Sequence, residues 1–141
     1  TKSMVEYCVK KLIPRMQGRE INVQIKDFDK DDSLGYAIPS DHADSSRPRD
    51  FDIEIHKHQP LRKFLMTLAH EMVHVKQFAR GELYESTRLG RHRWQGEWLA
   101  KEPDYWDQPW EIEAHGRECG LFVRWAEANK LGKKKWTKEK N

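Results

Sequence analysis

The chain has 141 residues, enough for one domain with a single core but not for two. Hydrophobic residues make up 37 % and mean hydropathy is −0.98, so the core must be compact, and no window approaches the run of about 18 apolar residues that a membrane-spanning helix needs. The net charge of +3 is local: residues 130–141 carry six Lys and one Glu, whereas the other 129 residues sum to −2, so the basicity belongs to the tail and not to the domain.

The first residues, Thr1-Lys2-Ser3-Met4, lack the apolar stretch of a signal peptide, and a cytoplasmic location is expected. From Met4 to Met16 the spacing of Val5, Cys8 or Val9, and Leu12 predicts a packing helix, with Pro14 near its stop. Glu20 to Lys26 alternates polar and apolar residues, the signature of a half-buried strand. An acidic turn follows from Asp27 to Asp32, then a second strand over Leu34 to Ile38, a polar and mobile loop from Ser40 to Asp50, and a third strand from Phe51 to His56. The next segment is a helix beginning near Pro60, with Leu61, Leu65, Leu68, Met72 and Val75 as its apolar stripe and Gly81 just past its end. Regularity weakens after Gly81, with a short hairpin over Arg91 to Leu99 and an aromatic loop over Pro103 to Asp107. A second long helix is predicted from Pro109 to about Asn129, in which Gly116 and Gly120 either admit a neighbouring helix or are neutral filler. The domain is expected to span 1–129 and the basic tail 130–141. The tail lysines could touch a phosphate backbone, but chain ends are generally solvated or frayed, and that is the reading preferred. The two cysteines, Cys8 and Cys119, read as buried thiols, since two alone make no disulfide framework.

The chemistry is concentrated in His70-Glu71-Met72-Val73-His74. At 3.6 residues per turn the two imidazoles share one helix face and can bind one ion, while Glu71 is close enough to act on a metal-bound water without being a ligand. This H-E-x-x-H pattern points to zinc and to hydrolysis, most often of a peptide bond. A surface helix that merely carries two histidines is the competing reading. A catalytic zinc takes three protein ligands and leaves a place for water, so one donor is missing. A third histidine on the same helix is excluded, because Gln77 and Arg80 stand where a glycine and that histidine would be. The Pro109 helix offers Glu111 and His115, which share a face at i, i+4, whereas Glu113 is rotated about 200° from Glu111 and is expected to face away.

The stretch Leu65 to Ala79, with its Leu-Met-Thr-Leu-Ala-His-Glu-Met-Val-His core, resembles the active-site helix of small intracellular zincins, including SprT-like and ImmA/IrrE-type metallopeptidases and many phage-encoded metallopeptidases. Pro109 to Ala114 is similar to their downstream Glu helix, and with Trp94-Gln95-Gly96 the resemblance covers roughly half the chain. It implies Glu111 as the third ligand, three residues before the small Ala114, with the polar residue at 115 supporting a ligand histidine. SprT-like enzymes instead use a third histidine, which keeps His115 as a rival ligand.

The resulting expectation is an α+β minimal zincin: an N-terminal helix, a small twisted sheet of three or more strands, the His70 helix and a C-terminal ligand helix. His70, His74 and Glu111 (or His115) hold Zn²⁺, Glu71 serves as general base, and Tyr105, ahead of His92 and Tyr84, carries the oxyanion charge. An extended peptide would pair with the edge of the Phe51–His56 strand. His56 and His58 read as surface histidines, and His42 has no assigned role. A peptide or protein substrate, no membrane and a monomer are expected. The rival functions are a metal-retaining module that binds a protein or DNA partner, and a hydrolase of a non-protein or cell-wall amide.

Overall fold

A computed structural model describes residues 1–16, 21–28, 35–40, 47–86 and 88–138. The chain is mixed α+β, with three α-helices and two three-stranded sheets among the described residues. Helix α1 (Lys2–Leu12) buries Met4, Cys8, Val9 and Leu12, so it starts and ends earlier than expected. Pro14 explains the stop, because a residue before proline avoids helical ψ, and Ile13 sits at φ −137, ψ 62.

In the first sheet β1 (Asn22–Phe28), β2 (Gly35–Pro39) and β3 (Asp50–His56) take the order β1-β3-β2. β3 is central, parallel to β1 with Val23 opposite Phe51 and Ile25 opposite Ile53, and antiparallel to β2 with Ala37 opposite Ile53. Its alternation buries Phe51, Ile53 and Ile55 on one face. Both of its edges are therefore occupied, which corrects the expectation that Phe51–His56 would offer an edge to a peptide. Among the described residues, the outer strand next to the site is β2. Most of the expected Ser40–Asp50 loop, with His42, and most of the acidic turn lie outside the described residues.

Helix α2 (Leu61–Ala79) packs across this sheet and is buried all round from Thr67 to Gln77. Leu61, at its first turn, is 51 % exposed and falls off the expected apolar stripe. Gly81 ends the helix at φ 72: its N–H donates to the Phe78 carbonyl and that of Glu82 to the Gln77 carbonyl, the paired bonds of a Schellman motif. The second sheet, β4 (Leu83–Ser86), β5 (Arg91–Trp94) and β6 (Glu97–Trp98), is an antiparallel meander whose last turn, Gln95-Gly96, has positive φ at both residues.

Helix α3 (Pro109–Ala128) has Pro109 in its first turn and lays Ala114, Phe122, Trp125 and Ala126 into the same core. Gly116 and Gly120 face open space, so neither serves a close helix approach; the small residue against the core is Ala114. Residues 131–138 fold back: Leu131 and Trp136 pack on the core and the buried Thr137 hydroxyl donates to the Lys134 carbonyl. Gly132 and the lysines of this segment are solvated as expected, but Leu131, Trp136 and Thr137 are not, so residues 131–138 are not frayed. No helix among the described residues is long and apolar enough to cross a membrane.

Candidate metal centre

The face of α2 that turns toward α3 carries His70, Glu71 and His74, all buried. Their spacing places both rings on that face, 5.0 Å apart between centroids. From α3, one carboxylate reaches both: Glu111 Oε1 lies 3.0 Å from His70 Nε2 and Glu111 Oε2 lies 3.1 Å from His74 Nε2. These three side chains have ligand atoms within 4.8 Å of one another and could hold a metal ion. They line a cleft of about 430 Å³ whose walls include Gly35, Tyr36 and Ala37 of β2.

Protonation states follow from the partners. Gln77, fully buried, donates through Nε2 to the Trp110 carbonyl at 2.9 Å and to Glu113 Oε1 at 2.9 Å, so its oxygen must face His74 Nδ1 at 2.7 Å. That oxygen is an acceptor, hence Nδ1 carries the hydrogen and the Nε2 lone pair points at Glu111. Two acceptors then confront each other unless a proton or a cation lies between them. For His70, burial alone would lower the pKa, but hydrogen bonds to Glu111 and Glu118 outweigh it and raise it to about 10. His74 also shifts upward against its burial, through its hydrogen bond to Glu111 and the nearby charge of Glu71. Glu111 is driven the other way: burial opposes ionisation, yet the two histidines hold its carboxyl well below the usual range. Glu71 is pushed up by burial, with His74 and His70 pulling against it.

Tyr105 stands in a short 3-10 turn (Tyr105–Asp107) just before α3, where its hydroxyl donates to Glu111 Oε1 at 2.9 Å. The turn thus brings Tyr105 to the site. His92 also reaches the cleft wall, stacked on Trp110 at 4.8 Å and 2.9 Å from Glu102. Tyr84 does not: Leu83 and Glu85 line the cleft, and Tyr84, between them on β4, turns to the opposite face under Arg93 and Trp98. His115 packs edge to face on His70 with centroids 4.5 Å apart. The histidines His56 and His58 pair with each other at the end of β3, apart from the cleft lining.

Three participants escape a reading of the sequence. Glu118, two turns after Glu111, lies 2.8 Å from His115 Nδ1 and 3.5 Å from His70 Nδ1. Gln77 is the support of His74. Glu113, expected to face away, does turn from Glu111 but still meets α2, where it accepts from Lys76 at 2.6 Å as well as from Gln77. A carboxylate at i+7 from a ligand candidate is a signal available in the sequence; the Gln77 contacts need the packed helices. A second set, His70, His115 and Glu118, also falls within 4.8 Å, but it is more exposed and includes a direct His115–Glu118 hydrogen bond. Against protein-family models, curated proteins and solved structures, the chain finds no match.

Proposed function

We propose that this chain is a zinc metallopeptidase of minimal zincin type, with His70, His74 and Glu111 as ligands and Glu71 as general base. One observation carries the reading: two imidazoles from α2 aim at the two oxygens of a single α3 carboxylate, with a buried carboxyl beside them in an open cleft. The donor set fits. Zinc bonds of about 2.0–2.2 Å in tetrahedral array hold neighbouring ligand atoms about 3.3–3.5 Å apart, a few tenths of an ångström beyond the N···O distances here. The Nδ1–H of His74, held by Gln77, leaves Nε2 as the neutral donor that such an ion needs.

Bound there, zinc would supply Lewis acidity for a carbonyl and acidify a water. The protein groups do the rest. Glu71 takes the proton of the attacking water and returns it to the leaving amine, a task its raised pKa suits. Tyr105, with its hydroxyl at the edge of the ligand set, supplies a hydrogen bond to the developing oxyanion. Strand β2 is an outer strand of its sheet among the described residues and contributes Gly35 to Ala37 to the cleft, so an extended peptide would add to that edge through its main chain.

Glu71→Gln is the decisive variant. Elemental analysis should find zinc retained, while cleavage of unfolded casein falls by about 10²–10⁴-fold; unchanged turnover would refute the assignment. His70→Ala and Glu111→Ala should instead lose the metal.

A further inference from the structure

His115, Glu118 and Tyr105 form a chain of contacts beside the ligand set. Glu118 Oε1 lies 2.8 Å from His115 Nδ1, and because a carboxylate oxygen accepts, that contact places a hydrogen on Nδ1. On a neutral ring Nε2 is left with a lone pair, and the Tyr105 hydroxyl lies 2.9 Å away. The phenol has one proton and two acceptors at equal distance, His115 Nε2 and Glu111 Oε1. A cation on Glu111 would draw electron density from that oxygen and leave the imidazole as the better acceptor. The aromatic turn is also held at this point. Trp106, 72 % exposed, tilts over the His115 ring at 4.9 Å while stacking on Tyr105 at 5.1 Å.

We propose that His115 is a positioning residue and not a metal ligand: Glu118 sets its tautomer, and in the resting site its Nε2 accepts the Tyr105 hydroxyl and holds the phenol beside Glu111, from where the O–H rotates toward the developing oxyanion during turnover. The alternative, an ion held by His70, His115 and Glu118, meets an obstacle: His70 would have to turn its donor lone pair from Nε2, which faces Glu111, to Nδ1.

The proposal rests on the metallopeptidase reading only for the use made of Tyr105, and the test separates the two. The full chain, labelled with ¹⁵N-histidine, is compared with Glu118→Gln, Tyr105→Phe and His115→Ala. NMR should report His115 in the wild type with its hydrogen on Nδ1, a shift toward the other tautomer in Glu118→Gln, and a displaced Nε2 resonance in Tyr105→Phe. Zinc content should be unchanged in His115→Ala. Turnover of casein should fall by the same factor in His115→Ala and Tyr105→Phe, with the double variant no worse than either and KM little altered. Hydrogen on Nε2 in the wild type, an Nε2 resonance indifferent to Tyr105→Phe, or loss of zinc from His115→Ala would overturn the proposal. A wild type that binds no zinc and cleaves nothing would instead sink the metallopeptidase reading, and the NMR results would still decide the role of His115.

Discussion

Gln77 illustrates how far a single side chain can depend on its surroundings for meaning. In the sequence it marks only where a longer histidine motif fails; in the fold its amide is spent completely, oxygen on His74 and nitrogen on the Trp110 carbonyl and Glu113. Gln77→Leu would keep much of the volume but strand those partners, so stability should fall by about 1–3 kcal/mol and zinc affinity by about 10–100-fold. Urea unfolding and a zinc competition titration measure the two losses; wild-type values for both would refute the role. Cys8 behaves in the opposite way, since its apolar spacing is legible and burial follows. That burial pushes its thiol up to about 12 from an ordinary 9.0. The folded chain therefore holds this proton more tightly than the unfolded one, and the stability so gained is complete below pH 9 and lost as pH rises from there through about 12. In native protein at pH 8 an aromatic disulfide reagent should modify one thiol, the exposed Cys119, and in urea both. Cys119 itself departs from the buried thiol expected. Two fast-reacting thiols in the native state would contradict the sealed site.

At the level of elements, the two long helices were legible because apolar spacing and end signals agree: Pro60 and Gly81 bracket α2, and Pro109 opens α3. The three strands of the first sheet were legible as strands, but not in their order. Alternation in Phe51, Ile53 and Ile55 reports one buried face and says nothing about which neighbours pair at the edges. β4 went unread because Leu83 to Ser86 is too short to establish a period. Gly35 shows what strand placement demands of one position. A Cβ there would come within 3.0 Å of both the Glu54 carbonyl oxygen and Thr67 Cγ2, so β2 lies close under α2 at that point. Gly35→Ala should push the strand outward at a cost of about 1–3 kcal/mol, as overpacking usually does. A denaturation midpoint equal to that of the wild type would show that the strand yields freely.

Across the whole molecule, one core joins α1, α2, α3 and β3, and the chain end closes over it through Leu131 and Trp136. Those two residues gave no periodic signal amid the lysines, so a packed terminus was not legible. The candidate metal group was legible in its α2 half, by motif, and in Glu111 by resemblance; Glu118 was missed although its i+7 spacing from Glu111 puts it on the same face of α3. Because the core does not pass through the site, stripping the metal should leave a cooperative fold. Chelator should lower the unfolding free energy by the linkage term alone, about 2.7 kcal/mol relative to a free zinc concentration one hundred times Kd, with a corresponding fall in Tm. Unfolding on chelation would mean that the ion is a structural staple.

Ala114 lies on the stripe of α3 between Glu111 and Glu118, fully buried where the helix meets the core. The two carboxylates reach His70 at different ring nitrogens. A change that widens the seam between α2 and α3 would therefore loosen both ends of the same imidazole without altering any of the three side chains.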